Sequence, residues 1–440
     1  MMGVWHMAAL AGLATAVPRN IMMPTSLDIQ KDYSIRNVAA TIARDAMTYY
    51  KGNTSSATSV AVGDLSDPYY WWVAGALWGG MLDYYHYTED ASYNDEVLQA
   101  LTSPHNLGPN FDYVPPEHAS EEGNDDLYFW GSAALAAAER NFPQPDESIP
   151  SWLDIGANVF ESLRSRWNTT ACRGGGLAWQ IYPDNPNGMD YRNSITNGGF
   201  FQIASRLARA TSNATYADWA AKVWDWSWDV GFIDHDSWHV WDGAGADQDC
   251  SQLSRSSYTY TSGVYLYGAA VMANHTAGDA GATDDRGSNV WAVRAARLLD
   301  GAEWFFGPYP NATDIMYEGA CEPDNSCNAD METHKAYLAR NMWQASVMLP
   351  DLKPKVHRLL GTSAKAAAAT CTGGDSGTAC GMKWYTGAYD GHVGLGPQMT
   401  ALETIQGLLA DKAEPPLRGD DIHTVRHVNW AAVDPYRTGN

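Results

Sequence analysis

Hydrophobic residues recur along most of the chain at the three- and four-residue spacing of amphipathic helices, and the alternation typical of strands is nearly absent. This pattern predicts twelve helices. Their approximate bounds are 29–51, 69–87, 92–103, 124–140, 151–167, 192–212, 214–230, 257–274, 286–305, 330–349, 354–370 and 396–410. Proline-rich stretches such as "NFPQPDESIPS" (141–151) separate neighbouring segments. An all-α protein is therefore predicted.

The predicted helices are of two alternating kinds. Every second segment, such as "YYWWVAGALWGG" (69–80), is apolar or small on all sides, which predicts burial all round. The segments between them, such as "RNVAATIARDAMTYYK" (36–51), keep a polar face. This alternation predicts two concentric rings with six inner and six outer helices. An α-solenoid is the alternative, but the chain shows no fixed sequence period.

All twelve segments fit one domain over residues 28–412. Residues 1–27 form a separate N-terminal segment, in which "HMAALAGLATAVP" (6–18) is similar to a signal peptide but lacks its positively charged start. Residues 413–440 form a polar tail without the hydrophobic stretch of a GPI-anchoring signal.

Two adjacent aspartates, Asp125 and Asp126, stand at the head of the apolar segment "GNDDLYFWGSAALAAAE" (123–139). One interpretation is helix capping, with Asn124 as N-cap and the acids favouring the positive end of the helix dipole. The other is a pair of carboxylates with separated pKa values, as glycoside cleavage requires. Spacing alone leaves both open.

Composition favours the second interpretation. A net charge of −23 argues against nucleic acid or an anionic membrane surface as partner. The 19 Trp and 24 Tyr greatly outnumber the 9 Phe, although Phe would serve as well in a core. Trp and Tyr combine a broad face with a polar group, which suits a sugar-binding cleft.

The cysteines and the glycosylation sequons indicate a secreted protein. The short loops Cys321–Cys327 and Cys371–Cys380 predict local disulfides, which leaves Cys172 to pair with Cys250. Five sequons without proline at their middle position occur at Asn53, Asn168, Asn213, Asn274 and Asn311. Extracellular localisation is expected.

The inner helices of such a toroid direct one set of ends to a common cleft, so their first residues and preceding loops are candidate sugar ligands. Amide, carboxylate and aromatic side chains suit this role. The predicted contacts are Asn124, Trp130, Trp179, Gln180, Asn193, Asn197, Asp242 and Tyr260. The long loop 231–256 also carries His235 and His239, but loop histidines more often make ordinary hydrogen bonds, so neither a metal nor a cofactor is predicted.

Several stretches resemble motifs of glycoside hydrolase family 76, the endo-α-1,6-mannanases. They are "NDDLYFWGSAALAAAE" (124–139), "GGGLAWQI" (174–181), "YRNSITNGGFFQIASRLAR" (191–209), "YTYTSGVYLYGAAVM" (258–272) and "GPQMTALETIQGLL" (396–409). The resemblance spans about residues 28–410 in family order and implies an (α/α)6 barrel. One departure is "YTYTSG", where the family commonly has amide side chains at the positions of Thr261 and Ser262.

The resemblance also implies a function. It indicates a retaining glycosidase or transglycosylase, with Asp125 as nucleophile and Asp126 as general acid/base. The fungal branch processes mannose-containing GPI-anchor glycans, which implies an α-1,6-mannose glycan as donor and wall glucan as acceptor. It also implies a location in the cell wall or at the outer face of the plasma membrane. A monomer is expected. The alternative is a wall-associated, lectin-like mannan-binding protein that has lost turnover, and the intact aspartates favour the enzyme.

Overall fold

The computed structural model describes residues 22–52, 60–144, 147–183, 185 and 188–426. Thirteen α-helices lie in these ranges: α1 (Asp32–Met47), α2 (Trp71–Thr88), α3 (Asn94–Thr102), α4 (Pro104–Leu107), α5 (Asn124–Ala138), α6 (Trp152–Ser165), α7 (Ser194–Thr211), α8 (Ala214–Val230), α9 (Thr259–His275), α10 (Val290–Ala302), α11 (His334–Met348), α12 (Lys353–Thr370) and α13 (Leu395–Gln406). All twelve predicted helices are confirmed. Only α4 is additional, and its single turn is too short to carry a periodic pattern.

The helices form the predicted (α/α)6 barrel. In the inner ring, α2, α5, α7, α9, α11 and α13 each contact the next helix, and α13 contacts α2 to close the ring. The helices α1, α3, α6, α8, α10 and α12 pack around this ring. The prediction of six inner and six outer helices is therefore confirmed, and the α-solenoid is excluded because a solenoid does not close.

Burial explains why each helix lies in its ring. In the inner helix α9, every residue from 261 to 273 is buried. In the outer helix α6, Ile155, Val159 and Phe160 are buried, whereas Glu161 and Arg164 on the opposite face are exposed. Because burying one large apolar side chain stabilises the fold by roughly 1.5–3 kcal/mol, each apolar face determines where its helix packs.

Inside the barrel, the C-terminal halves of the inner helices carry paired charges. Arg340 bonds to Glu403 at 2.6 Å and to Asp83 at 3.3 Å, and Arg206 bonds to Glu139 at 2.8 Å. All three carboxylates are buried. The barrel interior therefore contains acidic side chains, and each of these three is paired with an arginine.

A small antiparallel sheet lies near the opposite end of the barrel. Its strands are β1 (Tyr191–Asn193), β2 (Gly243–Gly245) and β3 (Leu253–Ser254), in the order β1-β2-β3, with Arg192 opposite Ala244. The sheet holds the loop before α7 against the loop before α9. It was not predicted, because strands of two or three residues show no alternation.

The three predicted disulfides are confirmed. Cys172 bonds to Cys250, Cys321 to Cys327, and Cys371 to Cys380. Within the described ranges, no helix combines the length and the apolar character needed to cross a bilayer. The signal-like stretch 6–18 and the end of the tail, 427–440, lie outside the described residues.

The sequons differ in their surroundings. Asn213 and Asn311 are exposed and Asn168 is half-buried. Asn274 instead donates its amide N–H to the carbonyl of Met348 at 3.1 Å, so a glycan on that nitrogen would displace a bond inside the fold. Asn53 lies outside the described residues. Glycosylation of these sites stays a prediction.

Candidate active site

A cavity of about 440 Å³ opens at the N-terminal ends of the inner helices. Aromatic, carboxylate and amide side chains share its surface. They belong to Tyr70, Trp71, Trp72, Ser120, Glu121, Asp125, Asp126, Phe129, Trp179, Gln180, Asn185, Tyr260, Asp330 and His334. The predicted position of the cleft, at the Asp125 end of the inner ring, is confirmed.

Asp125 and Asp126 occupy the first turn of α5. Gly123, not Asn124, is the N-cap and has extended backbone. The Asp126 carboxylate accepts a hydrogen bond from the backbone N–H of Gly123. A Cβ at Gly123 would lie 2.4 Å from Asp125 Oδ1 and 3.0 Å from the Trp179 carbonyl oxygen. Glycine at this position therefore leaves room for the Asp125 carboxylate, and Asp126 combines a capping bond with a place in the cavity wall.

Asn124 positions the neighbouring loop. Its backbone N–H donates to the Trp179 carbonyl at 2.8 Å, and its side-chain amide donates to the Ala178 carbonyl at 3.0 Å. The residue is buried and does not line the cavity. The structure thus corrects both predictions for Asn124: it is neither the N-cap nor a surface group of the cleft, and it holds Trp179 beside the aspartates.

The surroundings raise the pKa values of both aspartates. Burial, aided by the charge of Asp330, raises the pKa of Asp125 to about 7, although backbone N–H groups at the helix start oppose the shift. Burial and the adjacent charge of Asp125 raise the pKa of Asp126 well above its ordinary value, and Glu122 adds to this effect. Both carboxyl groups therefore have raised pKa values, so the pair can hold a proton near neutral pH.

Three predicted sugar contacts lie in the cavity wall, namely Trp179, Gln180 and Tyr260. The Tyr260 ring stacks on His334 with centroids 3.9 Å apart and planes within 4°. The Gln180 side-chain oxygen accepts a hydrogen bond from Asn185 at 2.9 Å. The wall thus offers aromatic faces and amide groups in fixed orientations.

Trp130 does not reach the cavity. Its ring is fully buried and stacks on Trp71 at 5.1 Å, with Tyr113 at 5.3 Å. Trp130 was one of three aromatic residues predicted to contact sugar, together with Trp179 and Tyr260. Trp130 lies a full turn beyond the aspartates, where the inner helix is enclosed by its neighbours, so the structure places it in the core.

Asn193, Asn197 and Asp242 surround the cavity without lining it. Asn193 caps α7 by accepting the Thr196 N–H at 3.1 Å, and Asp242 accepts a hydrogen bond from Tyr191 at 2.6 Å. The Asn197 side chain accepts the Leu177 N–H at 2.9 Å and donates to the Leu177 carbonyl at 3.2 Å. These residues hold the loops that contribute the lining residues. Their positions therefore support an indirect role and not a direct contact with sugar.

A comparison with family models matches residues 34–420 to "Glycosyl hydrolase family 76". The chain belongs to this family. The resemblance of its motifs, the closed double ring of helices and the aspartate pair in the cavity agree with that membership.

Relatives within family 76 cover most of the chain. The mannan endo-1,6-alpha-mannosidase DCW1 of Saccharomyces cerevisiae is 42% identical over 391 residues, covering 88% of this chain and 82% of that protein. The crystal structure of Dfg5 from Chaetomium thermophilum in complex with glucosamine is 35% identical, with a TM-score of 0.83, and covers 94% of this chain and 98% of its own.

A more distant family 76 structure shares the fold. It is an inactive variant of the alpha-1,6-mannanase GH76A of Salegentibacter sp. HEL1_6, with two consecutive aspartates replaced, in complex with alpha-1,6-mannotriose. It is 18% identical, with a TM-score of 0.64, and covers 85% of this chain and 99% of its own.

Some cavity residues of this family 76 chain were not predicted. Trp71 and Trp72 open α2 just as the aspartates open α5, so applying the same end-of-helix rule to every inner helix would have found them. The same rule would have found Asp330, which stands at the start of the predicted helix 330–349, whereas Glu121 comes from a loop with no periodic signal. Thr261 and Ser262, where family 76 commonly has amides, are buried and do not line the cavity.

The loop histidines make ordinary contacts. His235 stacks on Trp228 with centroids 4.1 Å apart, and its Nε2 lies 2.9 Å from the Trp228 carbonyl oxygen. The His239 ring contacts Trp241 edge-on at 5.5 Å. Both histidines are thus engaged by the aromatic residues around them.

Proposed function

We propose that the chain cleaves α-1,6-linked mannose glycans with retention of anomeric configuration, as a mannan endo-1,6-α-mannosidase. The observation that carries this proposal is the pair of adjacent, buried carboxyl groups in the cavity wall, both with raised pKa values. Membership of family 76 supports the substrate class, since the DCW1 relative is named for this activity.

The two carboxyl groups divide the reaction between them. Asp125 attacks the anomeric carbon while Asp126 gives its proton to the glycosidic oxygen, so the leaving sugar departs with a new hydroxyl group. A covalent mannosyl ester on Asp125 results. Water or a sugar hydroxyl then gives a proton to Asp126 and attacks the same carbon, which releases Asp125. A more distant mannanase is inactive when two consecutive aspartates are replaced, which supports a catalytic role for the pair.

The lining residues other than the two aspartates also suit a glycan. Trp72, Trp179 and Tyr260 contribute aromatic faces on which sugar rings stack, and the amides of Gln180 and Asn185 are directional partners for hydroxyl groups. These side chains would hold the ring whose anomeric carbon faces Asp125. Substrate orientation therefore comes from side chains on several inner helices and loops.

The natural donor in this proposal is a mannose glycan that also contains an amino sugar, as the GPI-anchor core does. Among the described residues, the lining has two carboxylates besides the pair, Glu121 and Asp330, and neither lysine nor arginine. Carboxylates are the natural partners of an ammonium group. The related Dfg5 was solved with glucosamine, which supports this choice.

The acceptor in this proposal is wall glucan, so that transfer accompanies or replaces hydrolysis. The protein would then act as a monomer outside the cell, in the wall or at the outer face of the plasma membrane. Three disulfides support an oxidising compartment.

The test is incubation of the protein with an α-1,6-mannan oligosaccharide, with and without a glucan oligosaccharide. New reducing ends are expected without acceptor, and a mannosylated glucan is expected by mass spectrometry with it. A double variant, Asp125→Asn with Asp126→Asn, is the negative control. Binding of mannan without either product would instead identify a mannan-binding protein.

The amino-sugar element has its own test. A mannose glycan ending in glucosamine is compared with the same glycan after N-acetylation, which removes the positive charge. The free amine is expected to give a kcat/KM roughly tenfold higher, as befits one charge-assisted hydrogen bond. Equal values would remove Glu121 and Asp330 from substrate recognition while leaving the mannosidase assignment intact.

A further inference from the structure

Three side chains converge beside the cavity on segments that are distant in sequence. Asp64 lies in the loop before α2, His105 in α4, and His118 shortly before α5. His105 Nε2 lies 3.0 Å and His118 Nε2 lies 3.5 Å from the same Asp64 oxygen, and the three ligand atoms lie within 4.8 Å of one another. We call these three residues the histidine cluster.

The spacing within the histidine cluster matches a metal site. Ligands about 2.1 Å from a tetrahedral ion lie roughly 3.4 Å apart, close to the two measured separations. Two imidazoles and a carboxylate are the ligand types that suit Zn²⁺ and its neighbours. A cluster of this composition differs from a solvated group of acids, because it offers nitrogen ligands.

Two atoms of the cluster lack partners in the described structure. His118 Nε2 and Asp64 Oδ1 are both buried, and neither makes a hydrogen bond there. The other ring nitrogen of His118 contacts Glu121 at 2.7 Å. A carboxylate behind a ligating histidine fixes the ring orientation and increases its basicity, which is the usual outer shell of a zinc site.

We propose that Asp64, His105 and His118 bind one divalent ion of the zinc class, with Glu121 as outer-shell partner of His118. The His105 side chain is 32% exposed, so solvent has access for a fourth ligand. The ion would link three segments of the chain beside the cavity: the loop before α2, the helix α4 and the segment before α5. It would also fix His118 beneath Trp71, a wall residue whose ring stacks on the imidazole at 4.8 Å.

A rival account needs no metal. His118 would be an imidazolium between Asp64 and Glu121; burial alone would lower the pKa of His118, but these two carboxylates beside the ring raise it to about 9. Both accounts place a positive charge at the same point. They differ in whether it is a proton or an ion, and a direct measurement of metal distinguishes them.

The experiment uses the whole protein, stripped with a chelator and titrated with Zn²⁺ by calorimetry. One ion per chain is expected, with an upward shift in Tm, and X-ray absorption is expected to show two imidazole ligands. Binding below one ion per ten chains, or a bound ion without imidazole ligands, would overturn the proposal. The wild-type protein alone therefore decides the question.

Variants locate the site. His105→Ala is expected to lower Zn²⁺ affinity by more than the roughly tenfold to hundredfold typical of an outer-shell change, and Glu121→Gln by an amount within that range. The matched control is His357→Ala, which removes another histidine bonded to an aspartate, Asp411, at 2.9 Å. Unchanged affinity in a folded His105→Ala variant would place the ion elsewhere and overturn the assignment.

Discussion

Acidic side chains are buried at both ends of the barrel interior, yet the two ends treat them differently. Toward the C-terminal halves of the inner helices, Glu403 and Glu139 bond to Arg340 and Arg206. At the cavity, Asp125 Oδ1 is buried without a hydrogen-bond partner in the described structure. The same residue class is thus neutralised at one end and left without a cation at the other.

This difference indicates that the paired end contributes to stability, whereas the cavity end provides groups for proton transfer. Removing one member of a buried ion pair leaves the other charge uncompensated, so substitutions at the paired end should lower the free energy of unfolding. A buried carboxylate without a cation beside it has a raised pKa. It can therefore hold a proton near neutral pH, which general acid and base catalysis requires. Substitutions at the two ends should therefore affect different measurements.

The largest expected effect is on turnover. Asp125→Asn is expected to lower kcat on a natural mannan by at least about a thousandfold, because no nucleophile remains. Asp126→Asn should lose roughly a hundredfold to ten-thousandfold on mannan but much less on an aryl mannoside whose leaving group needs no proton. Steady-state kinetics on both substrates measure this.

The control for this pair is Asp154→Asn, which also removes a first-turn aspartate, on the outer helix α6. It should leave kcat unchanged. If the activated substrate rescues Asp125→Asn and not Asp126→Asn, the two roles are reversed. Full activity of both cavity variants would mean that the aspartates only cap the helix.

The next effect is on stability at the paired end. Arg340→Met removes the cation beside Glu403 and one of those beside Asp83, and is expected to lower the free energy of unfolding by roughly 3–5 kcal/mol. Urea denaturation measures it. Arg358→Met, at a half-exposed arginine bonded to Glu303, should cost less than about 1 kcal/mol. Equal losses in both variants would contradict the comparison.

A smaller effect concerns the pH dependence. Because the Asp330 charge contributes to raising the pKa of Asp125, which is about 7, the fraction of ionised nucleophile falls as pH drops below that value. Asp330→Asn removes the repulsion and should shift the acidic limb of kcat/KM to lower pH. Asp324→Asn, an exposed acid on the same stretch of chain, is the matched control. An unmoved limb would exclude coupling between Asp330 and Asp125.

The last effect concerns the pH dependence of stability near the cavity. Burial raises the pKa of Glu122 to about 8 from an unfolded value of about 4.5. Between these values the folded chain keeps a proton that the unfolded chain loses, so stability falls as pH rises through this window. Glu122→Gln should make Tm less dependent on pH there, whereas Glu89→Gln, at an exposed site, should not. Identical slopes for Glu122→Gln and wild type would refute the shift.

The fold was predictable from the sequence because it depends on long periodic segments. Helices such as α2 and α9 are apolar or small on nearly all sides, and only an inner position buries all of that surface. The short strands β1 to β3 were missed because their pairing joins loops far apart in sequence. Contacts of that kind depend on tertiary structure, and no local pattern encodes them.

The site was predictable only in part, and for a similar reason. Asp125, Trp179 and Tyr260 were found because they lie at or near the start of inner helices or in a distinctive motif. Asn197 was predicted to bind sugar because an amide suits a hydroxyl group, yet its amide bonds to the backbone of Leu177 instead. Sequence identifies which side chains can make a hydrogen bond, whereas packing decides with what partner.

The loops that build one cavity wall have a hydrophobic centre of their own. Cys172, Cys250, Trp226, Val230, Phe232 and Ala244 form a cluster separate from the main core, and the disulfide closes it across 78 positions of sequence. Structure with its own core can open as a separate cooperative unit. Hydrogen exchange in β2 and β3 should therefore proceed by a local opening that reductant accelerates, while the amides of the inner helices exchange only when the whole barrel unfolds.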